Sequence, residues 1–74
     1  MRENEHKVLM LLKRYNEDIP EDITINLLNG GYIDSFDIVN IVSDLEDNFN
    51  IEISPEKIVP ENFDTIEHIS LLLN

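Results

Sequence analysis

The sequence predicts an all-α fold: a small antiparallel four-helix bundle, with three main helices, one short helix and a long loop between the first and second. Three observations carry that expectation. Apolar residues recur at helical spacing in three stretches, about 3–15, 35–48 and 64–73. Two of those stretches open on acids three residues apart, Asp34 with Asp37 and Asp64 with Glu67, which is capping-box spacing. The chain has 74 residues, 42% of them hydrophobic, enough for one core and no second. Residues 1–74 are therefore expected to form a single domain, and that apolar fraction argues against disorder.

Taken in order, 3–15 places Val8, Leu11, Leu12 and Tyr15 at helical spacing, with Leu9 and Met10 broadening the apolar face. The connection 16–34 contains Pro20 and Gly30-Gly31, and a loop this long needs its own anchors. Ile19, Ile23, Ile25, Leu27 and Leu28 can supply them, through a short helical turn near 25–29. The Gly pair then admits a backbone conformation closed to other residues.

In the second helix, 35–48, about 100° per residue gathers Ile38, Val42, Leu45 and Phe49 into one core stripe, with Ile41 at its edge. Ser35, Val39 and Glu46 fall on the neighbouring flank, Ser43 and Phe36 next, Asp47 and Asn40 beyond. Asp37 and Asp44 point to a solvated side. Ile51 and Ile53 alternate around Glu52, the mark of a short extended segment. Ser54-Pro55 starts a helix with proline at its first position, and Pro60 limits it to about one turn. The last helix, 64–73, turns Ile66, Ile69, Leu72 and Leu73 inward.

Charge is distributed unevenly. Arg2, Lys7, Lys13 and Arg14 are four of the five basic residues, whereas every acid but Glu3 and Glu5 lies beyond Tyr15, opposed by Lys57 alone. The net charge of −11 repels nucleic acid and anionic lipid and favours encounter with basic protein surfaces. The bland reading of the same acidity is solubility. With no cysteine there is no disulfide or thiolate metal site, and any thiol chemistry needs a prosthetic group. His6 and His68 sit on different helices with no paired ligand, so no metal site is expected. The longest apolar run, Val8-Leu9-Met10-Leu11-Leu12, is too short to span a membrane, and Glu3 and Glu5 do not suit a signal peptide. The expectation is a cytoplasmic monomer.

The chemistry concentrates at Asp34-Ser35-Phe36-Asp37. As helix N-cap, Asp34 satisfies the end of the helix, and Ser35 at the first helical position is left free to face solvent. It has no adjacent base and no Gly-x-Ser-x-Gly elbow, so it is not the nucleophile of a hydrolase. A calcium loop is also lacking. Phe36 and Val39 are apolar beside the serine, with Glu46 and Asp47 around them, the composition of a docking patch. Phe36 folded back on the loop, with Val39 a scattered surface residue, is the ordinary alternative.

This motif resembles the 4'-phosphopantetheine site of the acyl carrier protein family, Asp-Ser-Leu-Asp or a close variant. The resemblance continues through Val39, Val42, Leu45-Glu46-Asp47, Phe49 and Ile51-Glu52-Ile53, and again at Pro60-Glu61-Asn62-Phe63-Asp64-Thr65-Ile66, covering about 28–73. It implies a non-catalytic, stand-alone carrier. Ser35 would receive the phosphopantetheine arm of coenzyme A from a phosphopantetheinyl transferase using Mg²⁺, and acyl or aminoacyl groups would ride on the arm as thioesters. Asp34, Phe36, Asp37, Val39, Asn40, Ser43, Glu46 and Asp47 would face partner enzymes. Those partners would be the transferase, an acyl- or aminoacyl-activating ligase and downstream acyl-transfer enzymes, all with basic docking surfaces. Ile33-Asp34-Ser35 looks more like fatty-acid or stand-alone carriers than peptidyl ones. Phe36 in place of leucine, Asn40, Ser43 and a longer 55–63 segment point instead to a specialised carrier of amino acids or secondary metabolites. An unmodified acidic helical adaptor sharing the fold is the alternative from a different class.

Overall fold

The computed structural model describes residues 2–73. Four α-helices, α1 (Glu3–Leu12), α2 (Ser35–Phe49), α3 (Pro60–Phe63) and α4 (Ile66–Leu71), pack as a small helical bundle, and no strand occurs among the described residues. A 3-10 turn, Pro55–Lys57, precedes α3. Every helix sends at least one side chain to full burial: Val8 and Leu12 from α1, Ile41 and Leu45 from α2, Phe63 from α3, Ile66 and Ile69 from α4. These side chains belong to one buried cluster, so the helices pack around a single common core.

α1 begins where the Glu5 carboxylate, itself buried, accepts from the Arg2 backbone N–H at 2.9 Å, one arm of a capping box. The helix is shorter than expected, ending at Leu12, with Tyr15 continuing as a hydrogen-bonded turn. Met10 does not broaden the buried face. It lies about 200° around from Val8 and is 54% exposed.

The long connection holds its place by burial and by backbone pairing. Ile19, Leu27 and Ile33 are buried, while Ile25, expected as an anchor, is exposed. The 25–29 segment makes one turn, closed by the Gly30 N–H donating to Asn26 O at 3.0 Å. Two further bonds tie this loop to the far end of the chain: Leu27 N–H to Asp64 O at 2.6 Å and Glu67 N–H to Ile23 O at 3.1 Å. Gly31 has φ +76, the left-handed region that favours glycine. At Gly30 a Cβ would lie 2.8 Å from the Tyr32 ring and 3.1 Å from Asn26 O, so a larger residue there would force the ring to shift.

α2 runs the full expected length and one residue further, ending on Asn50 in the left-handed conformation with its N–H on Glu46 O. Its buried arc is wider than the projected stripe. Ile41, placed at the edge, is fully buried, whereas Phe49 is only half-buried. That shift brings Asp44 onto the border of the core and corrects its assignment to a solvated side. It accepts a short hydrogen bond from the Tyr15 hydroxyl across the loop. Burial first, and then this bond, pushes Tyr15 up to about 12.

α4 is shorter than 64–73 and opens differently from the expected Asp64–Glu67 box. Thr65 is the N-cap, its hydroxyl accepting from His68 N–H at 3.0 Å. Asp64 instead meets the His68 ring at 2.5 Å, and this contact raises the histidine above its ordinary value. The reason is long-range: Asp64 O already accepts from Leu27 N–H, which fixes its backbone one residue before the helix.

Candidate functional site

The start of α2 is a full capping box. The Asp34 carboxylate accepts from Asp37 N–H at 2.9 Å, and the Asp37 carboxylate accepts from Asp34 N–H at 3.0 Å. Aspartate thus fills the role usually taken by glutamate, and both side chains are committed to backbone donors. Ser35, held between them at the first helical position, is exposed, and its hydroxyl makes no hydrogen bond among the described residues. The cap that orients it comes from its neighbours, so the hydroxyl has no structural duty.

Fit for a phosphate ester can be read from the same turn. The backbone N–H groups of Ser35 and Phe36 head the helix with no acceptor behind them, as the first turn of any helix leaves them. Together with the positive end of the helix dipole they favour a negative group on Ser35. Asp34 and Asp37 oppose it, less so because each is hydrogen-bonded to the backbone.

Around the serine, Phe36 is 83% exposed and Val39 67%, with Asn40, Ser43 and Asp47 exposed on the same side of α2. The Asn40 amide donates to Phe36 O at 3.4 Å. These five are brought together. Phe36 does not fold back on the loop. Asp34 and Asp37 stand at the head of the helix, tied to each other's backbone. Glu46 does not project with the group. It is half-buried, and its carboxylate accepts from Ile53 N–H at 3.0 Å, while its carbonyl accepts from Asn50 and Ile51. Sequence reasoning missed this role of Glu46 as the clasp of the 50–53 loop; the available signal was Asn50, a residue type that often ends a helix in the left-handed region.

Among the described residues no helix is long and apolar enough to cross a membrane, and no group of three or more His, Cys, Asp or Glu side chains is placed to hold a metal ion.

The chain matches the family model described as a phosphopantetheine attachment site over residues 7–73. No curated protein and no solved structure compared with it gives a significant match. The family match takes in all four helices apart from the first residues of α1. The protein belongs to the phosphopantetheine-attachment family, as a carrier of the acyl carrier protein type, and the prosthetic group of that family is a covalently bound 4'-phosphopantetheine. Carrier domains of this family are generally non-catalytic and work with a phosphopantetheinyl transferase and acyl-handling enzymes.

Proposed function

We propose that the Ser35 hydroxyl is the attachment point, and that the chain is a discrete carrier of acyl or aminoacyl groups with no catalysis of its own. The observation that supports this reading is an exposed hydroxyl with no partner at a helix start whose capping is done by Asp34 and Asp37. Ser43 lies within α2 and Ser70 is buried, with its hydroxyl on Glu67 O at 2.7 Å. Ser54 leads into the 3-10 turn Pro55–Lys57 and does not stand at the start of an α-helix.

In this reading the Ser35 oxygen attacks the phosphorus that bears the pantetheine arm in coenzyme A, forming the phosphodiester as the diphosphate linkage breaks and the nucleotide portion leaves. The base that takes the serine proton comes from the transferase, because the nearest carboxylates already accept backbone N–H groups. The bound arm supplies a terminal thiol on which acyl or aminoacyl groups are carried as thioesters. Phe36, Val39, Asn40, Ser43 and Asp47 form the face that partner enzymes read, with Asp34 and Asp37 adding negative charge at its head. The excess of acid beyond Tyr15 steers basic partner surfaces toward it.

Treatment with coenzyme A, Mg²⁺ and a transferase, read by intact mass, tests the proposal. Wild type is expected to gain one phosphopantetheinyl group, and Ser35→Ala none while keeping its helical circular dichroism. A folded Ser35→Ala protein that still gains the arm would refute the assignment, and a wild type that never gains it would favour the unmodified adaptor. Loading of the modified protein by an acyl ligase or an aminoacyl-activating ligase then identifies the cargo class.

A further inference from the structure

Between α1 and the C-terminal end of α2 runs a groove whose lining contains no acid. Met10, Leu11 and Phe49 form its apolar surface; His6, Lys7 and Arg14 form its polar rim. In a chain with sixteen acids and five basic residues this is an outlier. The other two grooves described on the surface both carry acids: Glu3, Glu5 and Glu67 beside Arg2 in one, and Glu46, Asp47 and Glu52 in the other. Lys7 is paired with Glu3 at 3.1 Å on an exposed turn of α1. Arg14 makes no ion pair among the described residues, although the chain has carboxylates in excess. Met10, more than half exposed in the middle of an otherwise buried apolar run, is uncovered beside it.

We infer that this groove is a second interaction surface, and that it takes an acidic protein segment presenting an apolar side chain. The charge of the rim decides the sign of the partner, opposite to that of the partners read by the Ser35 face. Met10 and Phe49 decide the anchor: large, incompletely buried side chains in a concavity take a protruding apolar group. A flat anionic bilayer is disfavoured, because it would meet the −11 charge of the whole chain, whereas a narrow segment meets only the groove. At physiological salt, charges more than about 8 Å apart are largely screened. Asp34 and Asp37 lie at the other end of α2, about 20 Å away along the helix, whereas Asp47 is the neighbour of Asn48 in the groove lining and bounds it on the side of the Ser35 face. The inference does not depend on Ser35 carrying the arm.

The test is an amide-shift titration of the full chain with a synthetic amphipathic helical peptide of about four turns, leucine on one face and glutamate on the other. Saturable shifts are expected at His6, Lys7, Met10, Arg14 and Phe49, weakening as salt is raised. Arg14→Glu and Met10→Ser are each expected to weaken binding by about tenfold or more, and Arg14→Lys to retain most of it. Both sites are exposed, so thermal melts of the variants are expected to match wild type, and transferase loading of Ser35 to be unchanged. The inference is overturned if shifts spread over the Ser35 face, if a lysine-for-glutamate peptide binds equally, or if Arg14→Glu binds like wild type. It is also overturned if vesicles of anionic lipid bind in preference to the peptide. Sedimentation showing dimers that Arg14→Glu dissolves would assign the groove to a second copy instead.

Discussion

Val39 and Ile41 stand two residues apart on α2 and should separate recognition from stability. Ile41 is fully buried. Truncation to alanine removes three carbons at about 0.8 kcal/mol each, about 2.4 kcal/mol before any cavity term, and a rigid cavity carries the cost into the range of about 2–5 kcal/mol. A domain of this size has a total stability of about 4–11 kcal/mol, so Ile41→Ala is expected to lose a large share of it. Val39 is 67% exposed. Its truncation removes two carbons of which about a third of the area is covered, for a loss of about 0.5 kcal/mol. The better helix propensity of alanine offsets much of that. Urea melts with unchanged slope measure the stability side. Initial rates of transferase loading measure the other, where Val39→Ala is expected to fall about threefold or more through lost docking area. Equal destabilisation by the two substitutions, with no specific loading defect at Val39, would refute the assignment of faces on α2.

Three other outcomes follow from particular contacts. Asp47→Lys, on the exposed flank of α2, is expected to slow loading and to reduce the salt sensitivity of the remaining rate, measured across an ionic-strength series; a wild-type salt response would make Asp47 plain solvated surface. Burial and Asp44 hold Tyr15 protonated up to about 12, so the stability this contributes is intact below the ordinary phenol value of about 10 and is lost as pH rises from there toward the folded value. Phenolate absorbance is expected to show a late-titrating tyrosine that Tyr15→Phe removes. Glu46→Ala frees the Ile53 N–H, so hydrogen exchange at Ile53 is expected to accelerate while amides beside Ile41 and Leu45 stay protected; unchanged exchange at Ile53 would show that the clasp does not hold the loop.

The head of α2 was legible because a capping box is written in side chains three residues apart, and nothing distant competes for them. The acidic, apolar flank followed from the same helix register. What could not be read locally came from partners far along the chain. Asp44 looked solvated on a helical projection, but Tyr15 packs over it from the end of α1 and pulls the buried arc toward Ile41. Asp64 and Thr65 are both good caps, and the choice fell to Thr65 once Leu27 had claimed the Asp64 carbonyl. Glu46 was read by charge alone, when the left-handed turn at Asn50 carries the chain back so that Ile53 N–H meets its carboxylate. Met10 is a different case, because its angle from Val8 already placed it off the buried face.

Peptide mapping of the transferase-loaded wild-type chain, with fragmentation that retains the phosphodiester, decides whether Ser35 and no other serine carries the arm. The modification is expected wholly on the peptide containing Asp34-Ser35-Phe36, with Ser43, Ser54 and Ser70 bare. Modification on Ser43 or Ser54, or label shared among several serines, would contradict the account.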